Sequence, residues 1–446
     1  MLESYKELAQ EVIATAQKIG AELVTVSIGC TTSFQIEARN QQIDLLKEAC
    51  SSGIHLTVCK NQRRSSITSN DLRMETLTPL ISSTIKTLSY IGADKFYNLP
   101  DPSLQGRASA DLKFFDTDFY QANTSEKIKN TLLQEKLTLD LDKRLHTEQA
   151  YYSDLISQAV YADSNGFIDG YEKSLFTRGM SAFVEDQSIL GQNTARKQTD
   201  GWYSCARFYD KLEPLDSISH KTCERLIRKI GAVKPKSQEV PVVFSPEMAR
   251  SFIGSVVSGM MGENIFRKQS FLLNRLETKI ANENLQLRDD PLLAGKLGSR
   301  YFDSEGVKAQ PLTLIENGIF QNYLLSTYSA NKLNMKTNGC AGGSSNIVLE
   351  PGKYTEEELI ASVKNGLYLT FMSGQGANIT TGDYSRGAQG IWIRDGKLAE
   401  PVSEFTIAST FLDMLNNITM IACEVDERSS ILCPAVKIQK MTVAGT

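Results

Sequence analysis

Histidine is scarce in this chain for its size. Only His55, His146 and His220 occur in 446 positions, and all three precede residue 235. The second half therefore cannot build a histidine-ligated zinc site or a Ser–His pair. No HExxH or HExxxH spacing exists anywhere. His55 falls in an alternating strand pattern and His146 at the end of a leucine-bearing helix, where the helix dipole favours a cation, so both are read as structural. The eight cysteines form no CxxC pair, which argues against a zinc ribbon and encodes no disulfide framework. No apolar run reaches the roughly 18 residues of a membrane span, and the opening MLESYKELAQEVIATAQKIGAE is an amphipathic helix, not a basic segment followed by an apolar core. A cytoplasmic protein with no membrane partner is expected. Positive charge is not in excess either: 48 Lys and Arg against 52 Asp and Glu leave a net charge of −4, which argues against nucleic acid as a direct partner.

Two further signatures are missing. The nearest approach to G-x-S-x-G, Asp383-Tyr384-Ser385-Arg386-Gly387, has Asp at the first glycine position and no histidine in its half of the chain. Gly374-Gln375-Gly376-Ala377-Asn378-Ile379 lacks the third glycine and following helix of a dinucleotide fold.

What is present is an ordinary globular composition, 41% hydrophobic and 22% charged, in a chain long enough for two or three domains. After a helix to about Lys18, residues 22–28, 33–38, 53–60 and 64–68 alternate like four strands of a small antiparallel sheet. Residues 71–90 predict a helix capped by Asp71, and 124–146 a second long helix with Ile128, Leu132, Leu133, Leu137, Leu139 and Leu141 as its apolar positions. Strands follow over 151–162, 170–185 and 202–209, the first two joined at Asp163-Ser164-Asn165-Gly166, and 217–230 closes with a helix. The segment Val233-Lys234-Pro235-Lys236-Ser237-Gln238 reads as a linker, dividing an N-terminal α+β domain, 1–235, from a β-rich C-terminal domain, 236–446. Nineteen of the thirty glycines lie beyond Pro241. Glu316-Asn317-Gly318 and Arg394-Asp395-Gly396 predict tight hairpins, and residues 354–364 and 408–416 short helices.

The second half is organised around Val240 to Ser270. Pro241 to Phe244 is a strand; Ser245 is placed to cap a helix, Pro246 suits its first position, and Glu247 complements its positive end. Ala249, Phe252, Ile253, Val256, Val257, Met260 and Met261 cover about half the cylinder, too broad a face for a surface helix. The opposite stripe, Ser251, Gly254, Ser255, Ser258 and Gly262, holds only small residues and suits either close packing or a cleft wall. Beyond it, the stretch Thr381 to Ala388 sets Asp383, Tyr384 and Arg386 among glycines, a pattern for tight turns with an ion pair or for contacts to a bound peptide or partner.

FDSEG from Phe302, LLSTYSANKLNMKTNGCAGG from Leu324, TGDYSRGAQGIWI from Thr381, MTVAG from Met441, DSNGFIDGY from Asp163 and DGWYS from Asp200 together resemble the TldD/PmbA family, in its PmbA (TldE) branch, long labelled a modulator of DNA gyrase. The resemblance implies a heterodimeric zinc-dependent protease in which the TldD branch carries HExxxH on the first helix of its C-terminal domain. Laid onto that motif, the first ligand position is Ile253, the glutamate position Gly254 and the second ligand position Ser258, none of which can do the chemistry. The branch's cysteine ligand lies in a CGK-type segment; here Cys433 is followed by Pro434, so that role is not carried over. Ser409-Thr410 replaces a Gly-Asn step common in the family. The expectation is a PmbA/TldE-like subunit without catalytic or metal residues, not catalytic alone, whose TldD-like partner holds zinc and whose substrate is a peptide or unfolded segment; alone it can form a homodimer. A stand-alone peptide-binding module and a hydrolase working through Asp383, Tyr384 and Arg386 are the alternatives.

Overall fold

The computed structural model describes residues 2–118, 123–186 and 196–446. The first half runs α1 (Leu2–Ile19), β1 (Leu23–Arg39), β2 (Gln42–Lys60), β3 (Arg63–Ser69), α2 (Met74–Thr87), α3 (Thr124–Leu141), β4 (His146–Asp163), β5 (Ile168–Asp186), β6 (Arg196–Ala206) and α4 (Leu215–Ile227). Its sheet is antiparallel throughout, in the order β3-β2-β1-β4-β5-β6. Along β1, Val24, Val26 and Ile28 pack with α1 and α2 in one cluster, while Phe34, Ile36 and Ala38 pack toward the α3 and α4 end. Even-numbered positions of one strand thus share a single helix-covered face.

Several expectations are corrected here. The four predicted strand segments are three long strands, because Gly29 to Thr32 continues β1 in extended pairing and residues 42–52, exposed on both faces, continue β2 without alternation. Asp71 does not cap α2 directly: its carboxylate holds Arg73 and the Thr76 hydroxyl ahead of a helix that starts at Met74. α3 stops at Leu141, where Asp142 turns extended, so His146 does not end a helix. It opens β4 and stacks on Phe183. Ile128, Leu132 and Leu139 of α3 pack against the core, but its most deeply buried residues are polar. Lys127, Thr131, Gln134, Glu135 and Thr138 are buried, whereas Leu133 and Leu141 are exposed. Each buried charge has a specific partner. Lys127 meets Asp154 at 2.5 Å, and Glu135 accepts the N–H groups of Asn40 and Gln41, the two positive-φ residues that turn β1 into β2.

The second half adds β7 (Gln238–Phe244), α5 (Pro246–Met260), α6 (Gly262–Phe266), β8 (Leu287–Asp289), β9 (Leu312–Glu316), β10 (Ile319–Phe320), α7 (Thr327–Leu333), β11 (Ile347–Leu349), α8 (Glu356–Ala361), β12 (Asn365–Ser373), β13 (Asp383–Arg394), β14 (Lys397–Thr410), α9 (Phe411–Asn416), β15 (Ile418–Asp426) and β16 (Ile431–Ala444). β7 pairs with both β12 and β16, so the run β16-β14-β13-β12-β7 closes on itself, and β8 to β11 extend the sheet from β16. The two predicted hairpins form at Asn317-Gly318 and Asp395-Gly396, all four residues at positive φ. The helix expected over 408–416 begins only at Phe411, because 408–410 complete β14. α5 packs onto the ring with Phe252, Ile253, Val256 and Met260 at 0% exposure. Ser245 occupies the cap position, but its hydroxyl bonds no helix N–H and is buried without a partner. This is a mixed α+β chain, with an antiparallel sheet first and a β-rich portion built on a buried first helix after it.

The halves meet along a charged seam. Arg225 of α4 donates to Asp200 and to Glu247 of α5; Arg428 also bonds Glu247 and Asp426 and lies 3.5 Å over the Trp202 ring. Asp426 takes Arg250 as well, at 3.1 Å. The predicted linker is itself bonded to the second half, Val233 to Val402 and Pro235 to Thr446. Elsewhere on the seam, Gln105 bonds both Asp163 and the Glu305 carbonyl, and Glu305 accepts the Thr327 N–H at 2.9 Å. Burial pushes the Glu305 carboxyl up to about 7, the like charges of Asp303 and Glu263 adding to the rise while the Thr327 bond opposes it. The folded state therefore holds a proton that the unfolded chain releases near 4.5. The cost of charging Glu305 is absent below that pH, grows as pH rises to about 7, and is constant above. Glu305→Gln should accordingly gain stability relative to the parent across this window, on the order of 1–3 kcal/mol. Thermal melts of both proteins at stepped pH check this; a constant difference would contradict it.

Candidate functional site

The candidate residues lie on the outer side of α5 and on β13. α5 is helical because Pro246 begins it with a preset φ, no charge interrupts it beyond Arg250, and its apolar side has the ring to bury against. Phe252 lies within about 6 Å of the Phe244, Tyr384 and Phe411 rings, and Phe271 stacks on Phe411 at 4.8 Å. These rings settle the rotation of the helix. The small-residue stripe consequently divides. Ser251, Gly254 and Ser255 are half-buried and Ser258 is exposed, while Gly262 is packed so closely that an added Cβ would lie 2.6 Å from the Ser329 hydroxyl oxygen. At Gly254 an added Cβ would meet only the tip of Ile431, at 3.1 Å. The first part of the stripe is thus partly open and its end is packing.

The three motif positions do not converge. Ile253 points into the core at 0% exposure, Gly254 has no side chain, and the Ser258 hydroxyl donates back to the Gly254 carbonyl at 3.0 Å. Cys433 is wholly buried, its thiol turned to the Pro434 carbonyl and its ionisation pushed far up by burial. Among the described residues no three His, Cys, Asp or Glu side chains gather as metal ligands. Zinc does not fit this donor set.

On β13 the candidates separate as well. Asp383 is exposed and accepts the Thr381 hydroxyl at 2.6 Å, which organises the turn before the strand. Tyr384 is 1% exposed, donates to the Met372 sulfur at 2.9 Å and has its phenol pushed up to about 12 by burial, so it belongs to the core and cannot touch a ligand. Arg386 alone reaches the stripe: Nη1 donates to the Ser251 hydroxyl at 3.1 Å, and its buried Nε has no partner. No carboxylate among the described residues pairs with it. Ser251 appeared in the sequence only as a small residue; its role as the anchor of an arginine 135 positions away had no local signal. The outer side of α5 therefore carries a guanidinium that, among the described residues, has no carboxylate partner and is held by the Ser251 hydroxyl.

Comparison with known proteins places this arrangement. Residues 237–445 match the PmbA/TldA metallopeptidase C-terminal domain and residues 118–230 the central domain of the same family. A metalloprotease PmbA homolog of Buchnera aphidicola (subsp. Acyrthosiphon pisum) is 30% identical over 423 residues, covering 95% of this chain and 93% of that one. Metalloprotease PmbA of Escherichia coli O157:H7 is 28% identical over 451 residues, covering 100% and 98%. A solved Bacteroides thetaiotaomicron protein, described as a candidate modulator of DNA gyrase, superposes with a TM-score of 0.93 at 28% identity over 99% of both chains. TldE from Thermococcus kodakarensis shares the fold, with a TM-score of 0.86 at 18% identity over 98% of this chain and 100% of that one. With those matches spanning nearly its whole length, the chain is a member of the PmbA/TldA metallopeptidase family.

Proposed function

We propose that this chain is the metal-free, PmbA/TldE-type subunit of a cytoplasmic peptidase complex. In this reading a TldD-type subunit supplies zinc and the catalytic glutamate, and peptides or unfolded segments are the substrate. The observation that carries it is the face of α5: the motif positions Ile253, Gly254 and Ser258 offer no metal ligand, yet Arg386 is held on the same helix by Ser251 with no carboxylate partner among the described residues. An arginine fork suits carbonyl or carboxylate groups of a bound chain. The two domains are taken as 1–235 and 236–446. A stand-alone peptide module keeps one supporting observation: among the described residues, 42–52 of β2 pair with β1 alone, leaving an outer edge for strand addition.

Affinity capture of the chain from its native cells should bring down an HExxxH-containing partner, and elemental analysis of the isolated chain should find far less than one zinc per molecule. Peptide binding with no such partner would favour the stand-alone module. One tightly held zinc per chain, lost in Cys433→Ala, would overturn the metal-free assignment. Arg386→Ala should lower partner-dependent proteolysis while changing stability by no more than about 1 kcal/mol; equal loss of fold and activity would return Arg386 to a structural role. Ser258→His should melt within about 1 kcal/mol of the parent because the position is open, whereas Ile253→His should lose roughly 2–4 kcal/mol of packing. Thermal denaturation of the two variants separates these outcomes.

A further inference from the structure

Along β1 the helix-covered face of the first sheet is interrupted. Val24, Val26 and Ile28 are buried with α1 and α2, and Phe34 and Ile36 toward α3, but Thr32, on the same face between the two groups, is exposed. Two cysteines stand at this opening. Cys30 of β1 lies opposite Ser52 of β2, and Thr32 lies opposite Cys50. All four side chains therefore share one face of an antiparallel pair, with the cysteines as diagonal neighbours. Their sulfurs are 3.9 Å apart, in direct thiol-to-thiol contact. Both thiols are held from the side: the Thr32 hydroxyl donates to Cys50 Sγ at 3.7 Å, and the Tyr5 hydroxyl of α1 hydrogen-bonds Cys30. Access to the two is unequal. Cys30 is 7% exposed, whereas Cys50 is exposed and belongs to the run 42–52 that meets solvent.

We propose that Cys30 and Cys50 form a reversible disulfide, a redox modification site that clasps β1 to β2 where the helix cover is interrupted. Hydrogen peroxide is the oxidant. Cys50 gives up its proton, and the thiolate, the sulfur that solvent reaches, attacks one peroxide oxygen; the O–O bond breaks, the leaving hydroxide takes up the proton as water, and Cys50 becomes a sulfenic acid. The Cys30 sulfur then attacks Cys50 Sγ. The S–O bond breaks, its hydroxide leaves as a second water with the Cys30 proton, and the S–S bond forms. Two thiols have thus supplied the two electrons that reduce one peroxide to two waters. The sulfurs close from 3.9 Å to about 2.05 Å by side-chain rotation on strands that are already paired. A bridge open to solvent on the Cys50 side is of the labile kind that a thiol reductant reopens, restoring both cysteines. While closed, it ties residues 31–49, with the Asn40-Gln41 turn, into a loop and suppresses their local opening. The site lies in the first half of the chain and rests on neither zinc nor the peptidase reading.

The test uses the reduced full chain. It is given one equivalent of hydrogen peroxide without denaturant, cleared with catalase, alkylated in denaturant, digested and mapped by mass spectrometry beside an untreated sample. The peptides carrying Cys30 and Cys50 should be joined within one chain, lighter by two hydrogen atoms than the reduced pair, and dithiothreitol should separate them. Deuterium uptake over residues 31–49 should fall in the oxidised chain and recover on reduction. In Cys30→Ser nothing resolves Cys50, so dimedone should trap its sulfenic acid; in Cys50→Ser, oxidation of the buried Cys30 should slow at least about tenfold. The assignment is overturned by a bridge linking two chains, by Cys30 and Cys50 both alkylated once the exposed Cys423 is oxidised, by unchanged deuterium uptake, or by variants that oxidise like the parent. The mapping and the uptake need only the parent protein, so they decide the matter even where a variant folds poorly.

Discussion

Burial of one face of α5 is the constraint on which the second half depends. Phe252, Ile253, Val256, Val257 and Met260 leave water against the closed strand ring, and at roughly 1.5–3 kcal/mol per large apolar side chain no surface contact of this helix competes with them. The helix cannot turn about its axis without exposing them. That decides which positions can do chemistry: Ile253 is committed to the core, and Gly254 and Ser258 remain on the open side with nothing to offer a metal. Arg386 is in place for the same reason, since Tyr384, two residues earlier on the same side of β13, is locked under Phe252 and Phe411.

The same helix ties the halves together. Glu247 in its first turn is shared by Arg225 of the first half and Arg428 of the second, while Arg250, one turn on, takes Asp426. Buried ion pairs of this kind add little net stability over well-packed apolar groups, but they penalise every arrangement that leaves one charge alone. Their effect is to hold the halves in register. A polar interior under α3 works alike: Glu135 has a place only where the Asn40-Gln41 turn presents its two N–H groups.

Elements whose determinants are local were legible. The Asn317-Gly318 and Asp395-Gly396 turns need positive φ at adjacent residues, a demand met within the dipeptide. The breadth of the apolar face of α5 announced burial before any partner for it was known. The misreadings came where the deciding contact was distant. Leucine spacing in α3 did not show which residues are buried deepest, because Asp154 on β4 and the β1–β2 turn draw its charged residues inward. Residues 42–52 showed no alternation because both their faces meet solvent, and pairing with β1 alone makes them a strand.

By itself the sequence determined that no HExxxH spacing is present: the identity of a side chain does not depend on the fold, and three histidines, all before residue 235, cannot supply that pattern however the chain is arranged. It also determined family membership, through glycine-bearing runs whose backbone demands are local. Only the tertiary structure decided the rest: that Tyr384 is core while Arg386 is not, that Ser251 receives an arginine from 135 residues away, and that Glu247 is shared by Arg225 and Arg428. Those relations join residues far apart in the chain, and packing alone sets the distances between them.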